Sequence, residues 1–265
     1  MSRTAIAAIV LLLISIGACK RNDSAKDTAP ASSSLAPVAS ASAASSADLH
    51  AGAHDPSNPP IDCPLRKAGI DPNGMKPFDQ VEKYIAFLER ADRIEWQKPD
   101  AVVRALDLDG SETVADLGAG SGYFSFRFAN ALPEGQVIAI DIEPEMIRHI
   151  HHKAMTEGVN NLAVQIARPE DPSVPNNADW VFICDVMHHI KDRPAWLARM
   201  HQEMKPDAKV ALIEFKEGNL PEGPPESLKI SKKTMLELMS AAGFKFVEEK
   251  KELLPYQHML IFQWG

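Results

Sequence analysis

The sequence predicts an α/β protein: a three-layer α/β/α sandwich on a seven-stranded, mostly parallel sheet, closed by a C-terminal antiparallel strand pair. Three observations carry this. From Thr113 onward, short apolar runs alternate with segments of helical periodicity, the pattern of repeated strand–helix units. One run, Trp180 to Asp185, is almost continuously apolar, as a central strand covered on both faces must be. The tail then breaks the alternation, with runs at 244–249 and 258–263 following each other around Pro255 like a hairpin.

The elements follow in order. Phe78, Val81, Tyr84, Ile85, Leu88 and Ile94 recur at helical spacing and predict a helix over 77–93. A short second helix follows Pro99, where the missing N–H has no helical partner to lose. Thr113 to Leu117 predicts the first strand, followed by a glycine-rich turn and a helix over 121–132. A strand over 137–141 leads to a helix over 144–157, whose start Pro144 marks. Strands over 162–167, 180–185 and 210–215 and helices over 192–204 and 231–242 complete the series before the final pair. Trp180 and Trp196 read as core.

The amino terminus reads differently. Arg3 precedes a stretch from Ala5 to Ala18 that is too short to span a membrane and suits a signal-peptide core. It ends Ile16-Gly17-Ala18-Cys19, which resembles a bacterial lipobox and makes Cys19 the candidate lipidation site. An ordinary secretory signal or an uncleaved anchor is the alternative. Residues 20–60 are rich in Ala, Ser and Pro and lack the apolar content to offset ordering entropy, so they read as a disordered linker. Residues 61–110 are expected to form an N-terminal helical lid, and 111–265 the α/β domain. The expected location is the cell envelope, lipid-anchored at the periplasmic face of a bacterial membrane. A formal net charge of −8 argues against a nonspecific nucleic-acid partner. Cys19, Cys63 and Cys184 compose neither a disulfide framework nor a thiolate metal site, and no metal is expected. Oligomeric state is not readable.

The chemistry is concentrated in Val114-Ala-Asp-Leu-Gly-Ala-Gly-Ser-Gly-Tyr-Phe124. Gly118, Gly120 and Gly122 alternate after a strand, where a ligand can approach bare backbone and a helix start offers unpaired N–H groups. The third glycine comes two residues after the second. The nicotinamide fingerprint puts it three after, where Tyr123 sits, so that reading fails on spacing. Asp116, two residues before the first glycine, suits a cationic amino-acid group. Asp141 ends the second strand, so parallel packing brings it to the same sheet edge, where its carboxylate can accept from both hydroxyls of a ribose. Capping the helix that begins at Pro144 is its alternative role.

These segments, with Asp185-Val-Met-His-His-Ile and Met204-Lys-Pro before a strand, resemble the ordered motifs of class I S-adenosylmethionine-dependent methyltransferases across residues 96–216. The nearest likeness is to the group that includes quinone-biosynthesis and arsenite methyltransferases. The resemblance implies S-adenosylmethionine as cofactor and a small-molecule methyl acceptor. It implies that Asp116, Gly118, Gly120, Gly122 and Tyr123 surround the methionine part, and that Asp141 and Ile142 meet the ribose end. Glu170 or Asp171 would face the adenine, and Asp185 would lie near the transferable methyl. His188 or His189 is a candidate general base, with simple packing or hydrogen bonding the alternative. Trp96 and Gln97 are candidates to line the site from the lid, with Trp96 as plain core the alternative. Lys205-Pro-Asp-Ala departs from the group's Lys-Pro-Gly-Gly and reads as a structural change. Cys184, in an apolar strand, reads as a buried free thiol, which disfavours arsenite as acceptor. An exported non-catalytic module that binds a nucleoside-like ligand or a protein on the same fold is the competing reading.

Overall fold

The computed structural model describes residues 78–265, and the expected signal peptide, lipobox Cys19, linker and first part of the lid lie outside them. Three helices come first: α1 (Phe78–Leu88), α2 (Arg93–Gln97) and α3 (Pro99–Arg104). Then follow β1 (Thr113–Leu117), α4 (Ser125–Ala131), β2 (Gln136–Asp141), α5 (Pro144–Glu157), β3 (Leu162–Ile166) and β4 (Trp180–Cys184). The chain closes with α6 (Arg193–Glu203), β5 (Lys209–Phe215), α7 (Lys232–Ala241), β6 (Phe244–Glu249) and β7 (Gln257–Trp264).

Two helices differ from the sequence expectation, each for a local reason. The helix expected over 77–93 stops at Leu88, whose carbonyl accepts from the Arg93 guanidinium, and the chain restarts as α2. The helix expected from Ser121 begins at Ser125 instead. Gly122 has φ +82°, a left-handed value that keeps the turn before it out of the helix. Elsewhere the ends are set by caps. Asp192 accepts from the Ala195 N–H at 3.2 Å to start α6, Ser231 accepts from the Thr234 N–H at 3.0 Å to start α7, and left-handed Gly158 closes α5.

The strands form one sheet in the order β3-β2-β1-β4-β5-β7-β6. The first five pair in parallel, and β7 runs antiparallel between β5 and β6. This is the seven-stranded sheet with its closing antiparallel pair that the sequence predicts. The chain winds from β1 outward to β3, then returns to β4 on the other side of β1. The β1–β4 boundary is therefore the switch point at which open α/β sheets bind ligands.

Alternate residues divide the core between the two faces of the sheet. Val114, Phe182 and Ile213 belong to the cluster of α3, α4 and α5, whereas Ala115, Val181 and Leu212 belong to that of α6 and α7. Phe182, fully buried on the central strand, sits 4.8 Å from the Phe124 ring and 4.9 Å from the Phe128 ring. Truncation there leaves a hole that the surrounding strands cannot collapse into. Phe182→Ala is expected to cost about 3–5 kcal/mol in urea denaturation; a cost under about 1 kcal/mol would show that the sheet is not packed this way.

Candidate functional site

The carboxyl ends of β1, β2, β4 and β5 meet at one sheet edge, and the glycine loop is the hinge of the arrangement. Gly118 has φ +72°, and a Cβ there would meet Val186 Cγ2 at 2.4 Å, so its bareness lets the turn after β4 press against the loop. A Cβ on Gly122 would meet Phe126 and Ile150 at 2.9 and 3.1 Å. Gly120 alone of the three looks toward the lid, with Leu88 Cδ1 at 3.3 Å from the Cβ it lacks. Asp116, at the end of β1, is buried, and its carboxylate accepts the Ser125 hydroxyl at 2.5 Å. Burial pushes this carboxyl up to about 7, opposed by the Ser125 hydrogen bond and assisted by the Asp141 charge.

Asp141 ends β2 and binds the loop directly. One oxygen accepts from the Gly120 N–H at 2.8 Å and the other from the Glu143 N–H at 2.9 Å. Burial raises its pKa, while those two N–H groups favour the charged form. Its second bond falls just before α5, so site and cap are not exclusive roles here. Ile142 beside it is exposed.

At the tip of β4, Asp185 sits in the left-handed region at φ +61°. The Gln257 amide donates to both its oxygens, at 2.7 and 2.9 Å, and the Gln97 amide donates to one at 3.0 Å. Burial and the neighbouring Glu214 charge raise its pKa, and Arg93 offsets part of this. The Cys184 thiol is free and lies 3.1 Å from the Gln97 amide nitrogen; burial pushes it up. Beyond Asp185 the chain makes a tight turn over Met187–His189, held by Arg193 Nε on the Met187 carbonyl at 2.7 Å. His188 Nδ1 lies 2.8 Å from Glu214, a carboxylate only 1% exposed on β5. Burial depresses the His188 pKa, but the Glu214 hydrogen bond and charge outweigh it, leaving the imidazole raised. The His189 ring, 4.1 Å away, is lowered by partial desolvation and by the His188 charge.

Helices α1 and α2 pack beside this edge. Val81 and Ile85 of α1 pack on Met146 of α5, and burial together with the charges of Asp141 and Glu143 raises the Tyr84 pKa. Trp96 packs against Phe215 at 5.7 Å and Tyr256 at 6.4 Å, and its buried Nε1 has no hydrogen-bond partner. Gln97 is fully buried. The Tyr123 ring lies between two guanidiniums, Arg93 and Arg127, each 4.1 Å from its centroid.

The residues singled out in the sequence thus divide. Asp116, the three glycines, Tyr123, Asp141, Ile142, Asp185, His188, His189, Trp96 and Gln97 fall on or beside the edge just described. Glu170 is exposed, and Asp171 accepts from the Ser173 N–H at 2.9 Å and pairs with Arg199 at 3.2 Å. Among the described residues neither hydrogen-bonds to Asp141, the glycine loop or Asp185. Sequence reasoning missed Glu214 and Gln257. Glu214 had a signal, an acid inside an otherwise apolar strand run; Gln257 had none.

A model of the methyltransferase-domain family matches residues 108–258. The chain belongs to that family. A ubiquinone/menaquinone biosynthesis C-methyltransferase of Citrifermentans bemidjiense is 30% identical over 122 residues, covering 45% of this chain and 52% of that protein. The chain therefore spans about half the length of that curated relative. Among solved structures, a SAM-dependent methyltransferase from Aquifex aeolicus superposes with a TM-score of 0.64 at 23% identity, covering 72% of this chain and all of that one. Human N-acetylserotonin methyltransferase, solved with SAM, gives 0.58 at 20% identity, covering 76% of this chain and 62% of its own. These two likenesses show the fold.

The Asp116 carboxyl gives a direct test of the site's electrostatics. Its folded pKa of about 7 stands above the model-compound value of 3.8, so the folded state holds the proton more tightly. Its contribution to stability is full below about pH 4 and is lost as pH rises through 7. Asp116→Asn, which keeps an acceptor for Ser125, is expected to raise Tm relative to the parent at pH 8 and to lose that advantage at pH 4. A pH-independent difference in Tm would contradict the assignment.

Proposed function

We propose that this methyltransferase-domain protein transfers the methyl group of S-adenosylmethionine to a small-molecule acceptor by in-line displacement. The observation that carries the reading is Asp141, a carboxylate at the tip of β2 bound to the Gly120 N–H at 2.8 Å. Gly120 and Glu143 occupy two of its roughly four lone-pair sites, which leaves acceptor capacity for ribose hydroxyls. The residues present fit the cofactor in other respects too. The buried Ser121 and Tyr123 hydroxyls, both on the glycine loop, have no protein partner, and Gly120 keeps a side chain out of the space under the lid.

When bound, S-adenosylmethionine supplies a methyl group on a sulfonium, and transfer leaves S-adenosylhomocysteine. The chain's task is alignment and exclusion of water, which can supply most of the acceleration for such a displacement. Asp141 and the glycine loop hold the adenosyl end. Asp185 is fixed by two glutamine amides beside the transferable group. The α1–α2 lid covers the edge. Where the acceptor must shed a proton, His189 is the neutral imidazole of the pair, while His188 is held by Glu214. The similarity to a quinone-biosynthesis methyltransferase supports a small-molecule acceptor. No observation favours the non-catalytic binding module.

Calorimetric titration of the detergent-solubilised full chain with S-adenosylmethionine and S-adenosylhomocysteine tests the cofactor. Micromolar binding is expected, weakened about 100-fold in Asp141→Ala, since hydrogen bonds to a charged group contribute about 1.5–3 kcal/mol each. Unchanged affinity in a folded variant would sink the ribose assignment.

The envelope location is part of the same proposal and rests on the apolar run Ala5–Ala18 and on Cys19. Metabolic labelling with an alkyne fatty acid is expected to mark the full chain but not Cys19→Ser. An unlabelled parent protein would return the segment to an ordinary secretory signal.

A further inference from the structure

The three most exposed large apolar side chains among the described residues, Tyr84, Phe87 and Ile94, all lie on the α1–α2 pair, each more than half exposed. With exposed Ala91 they fall at i, i+3, i+7 and i+10, one helical stripe read across the break after Leu88. The Tyr84 and Phe87 rings stack at 6.4 Å, so these two form a continuous apolar surface. This stripe is not the one that holds α1 in the fold, where Val81, Ile85 and Leu88 pack on Met146. A short helix that packs by one face and shows aromatic rings on another carries more apolar surface than its fold uses. Such a concentration marks a contact site.

Charge and chain position point to what covers it. The protein has a formal net charge of −8, yet over 82–98 Glu82, Glu89, Asp92 and Glu95 are matched by Lys83, Arg90, Arg93 and Lys98. That neutral stretch meets an anionic surface without the repulsion that the chain as a whole feels, and it has no excess of cations to hold a polyanion. The chain that leads into α1, the first described element, is the one that carries Ala5–Ala18 and Cys19. An acyl chain on Cys19 keeps the domain within reach of a bilayer, where the effective concentration of lipid is high and a weak apolar contact suffices. Tyr and Phe beside Ile suit the boundary between headgroups and acyl chains, since aromatic rings favour that depth. Among the described residues no helix is long and apolar enough to cross a membrane, so the contact is with its surface. We propose that Tyr84, Phe87 and Ile94 seat the α1–α2 pair in the headgroup region of a phospholipid bilayer. This rests on the lipid-anchor reading above. The charges of Asp141 and Glu143 reach Tyr84, so the seated face adjoins the cofactor edge and brings it to the membrane surface. An acceptor dissolved in lipid then meets the site without crossing water.

The test is photolabelling from the lipid side. The full chain is reconstituted in dioleoylphosphatidylcholine vesicles doped with a diazirine-bearing phosphatidylcholine, irradiated, and mapped by peptide mass spectrometry. Lipid adducts are expected over 84–94 and absent from α7. Phe87→Ser/Ile94→Ser, which keeps the same anchor, is expected to lose them about 10-fold, since two large apolar side chains no longer enter the bilayer. No adduct over 84–94 in a chain whose Cys19 takes the fatty-acid label would overturn the proposal and leave the anchor and cofactor readings standing. Adducts unchanged in the double variant would overturn it too, because tethering alone would then account for them. A cross-link joining α1 of two chains in place of lipid adducts would give the face to a second copy and overturn it likewise. Adducts over 84–94 in a chain that takes no fatty-acid label would support the seated face and defeat the anchor. Circular dichroism checks folding; should the double variant fail to fold, Ile94→Ser alone decides.

Discussion

The close approach of the β1 loop to the turn after β4 is the constraint on which the site depends. Any side chain at Gly118 would have to occupy the place of the Val186 methyl, 2.4 Å away. Once those two ends are in contact, the others are drawn in by hydrogen bonds. The Gly118 and Ala119 N–H groups reach the Ile140 carbonyl at 2.8 and 3.0 Å, tying β1 to β2. The Asp185 N–H reaches the Ile213 carbonyl at 3.0 Å, tying β4 to β5. The strand ends form a rigid row, and the side chains that project from them inherit its geometry.

That row is acidic and mostly dry. Asp116, Asp141, Asp185 and Glu214 are gathered where water is scarce; the Asp141 charge raises the cost of ionising Asp116, and the Glu214 charge that of Asp185. The chain answers each differently: a hydroxyl for Asp116, backbone N–H groups for Asp141, two amides for Asp185 and an imidazole for Glu214. These are oriented dipoles, fixed before any ligand arrives, so they need no reorganisation when a cationic group enters.

Much of this was legible in the chain. The strand runs could be read because burial on both faces forces continuous apolar stretches, and Asp116 and Asp141 because strand ends in a parallel sheet share one edge. What each glycine packs against was not legible. Gly118 and Gly122 are bare for Val186, Phe126 and Ile150, and only Gly120 faces the covered space. The helix over 77–93 looked continuous because its apolar spacing is continuous; the break after Leu88 lies between residues that keep that spacing, so periodicity carries no information about it. Gln97 and Gln257 were beyond reach for another reason. Their amides meet at 3.3 Å only because β7 inserts antiparallel beside β5, a pairing that no local pattern announces.

Asp185 holds its carboxylate in place at a backbone angle, φ +61°, that most side chains avoid. An aspartate tolerates that region better than most residues, but a glycine would sit there with less strain, a difference on the order of 1 kcal/mol. The position is therefore one where a more relaxed chain is a single substitution away and would give up the carboxylate at the centre of the amide network. Stability and chemistry pull in opposite directions at this residue. Screens for thermostable variants will be drawn to it, and improved melting there is the wrong criterion for keeping the substitution.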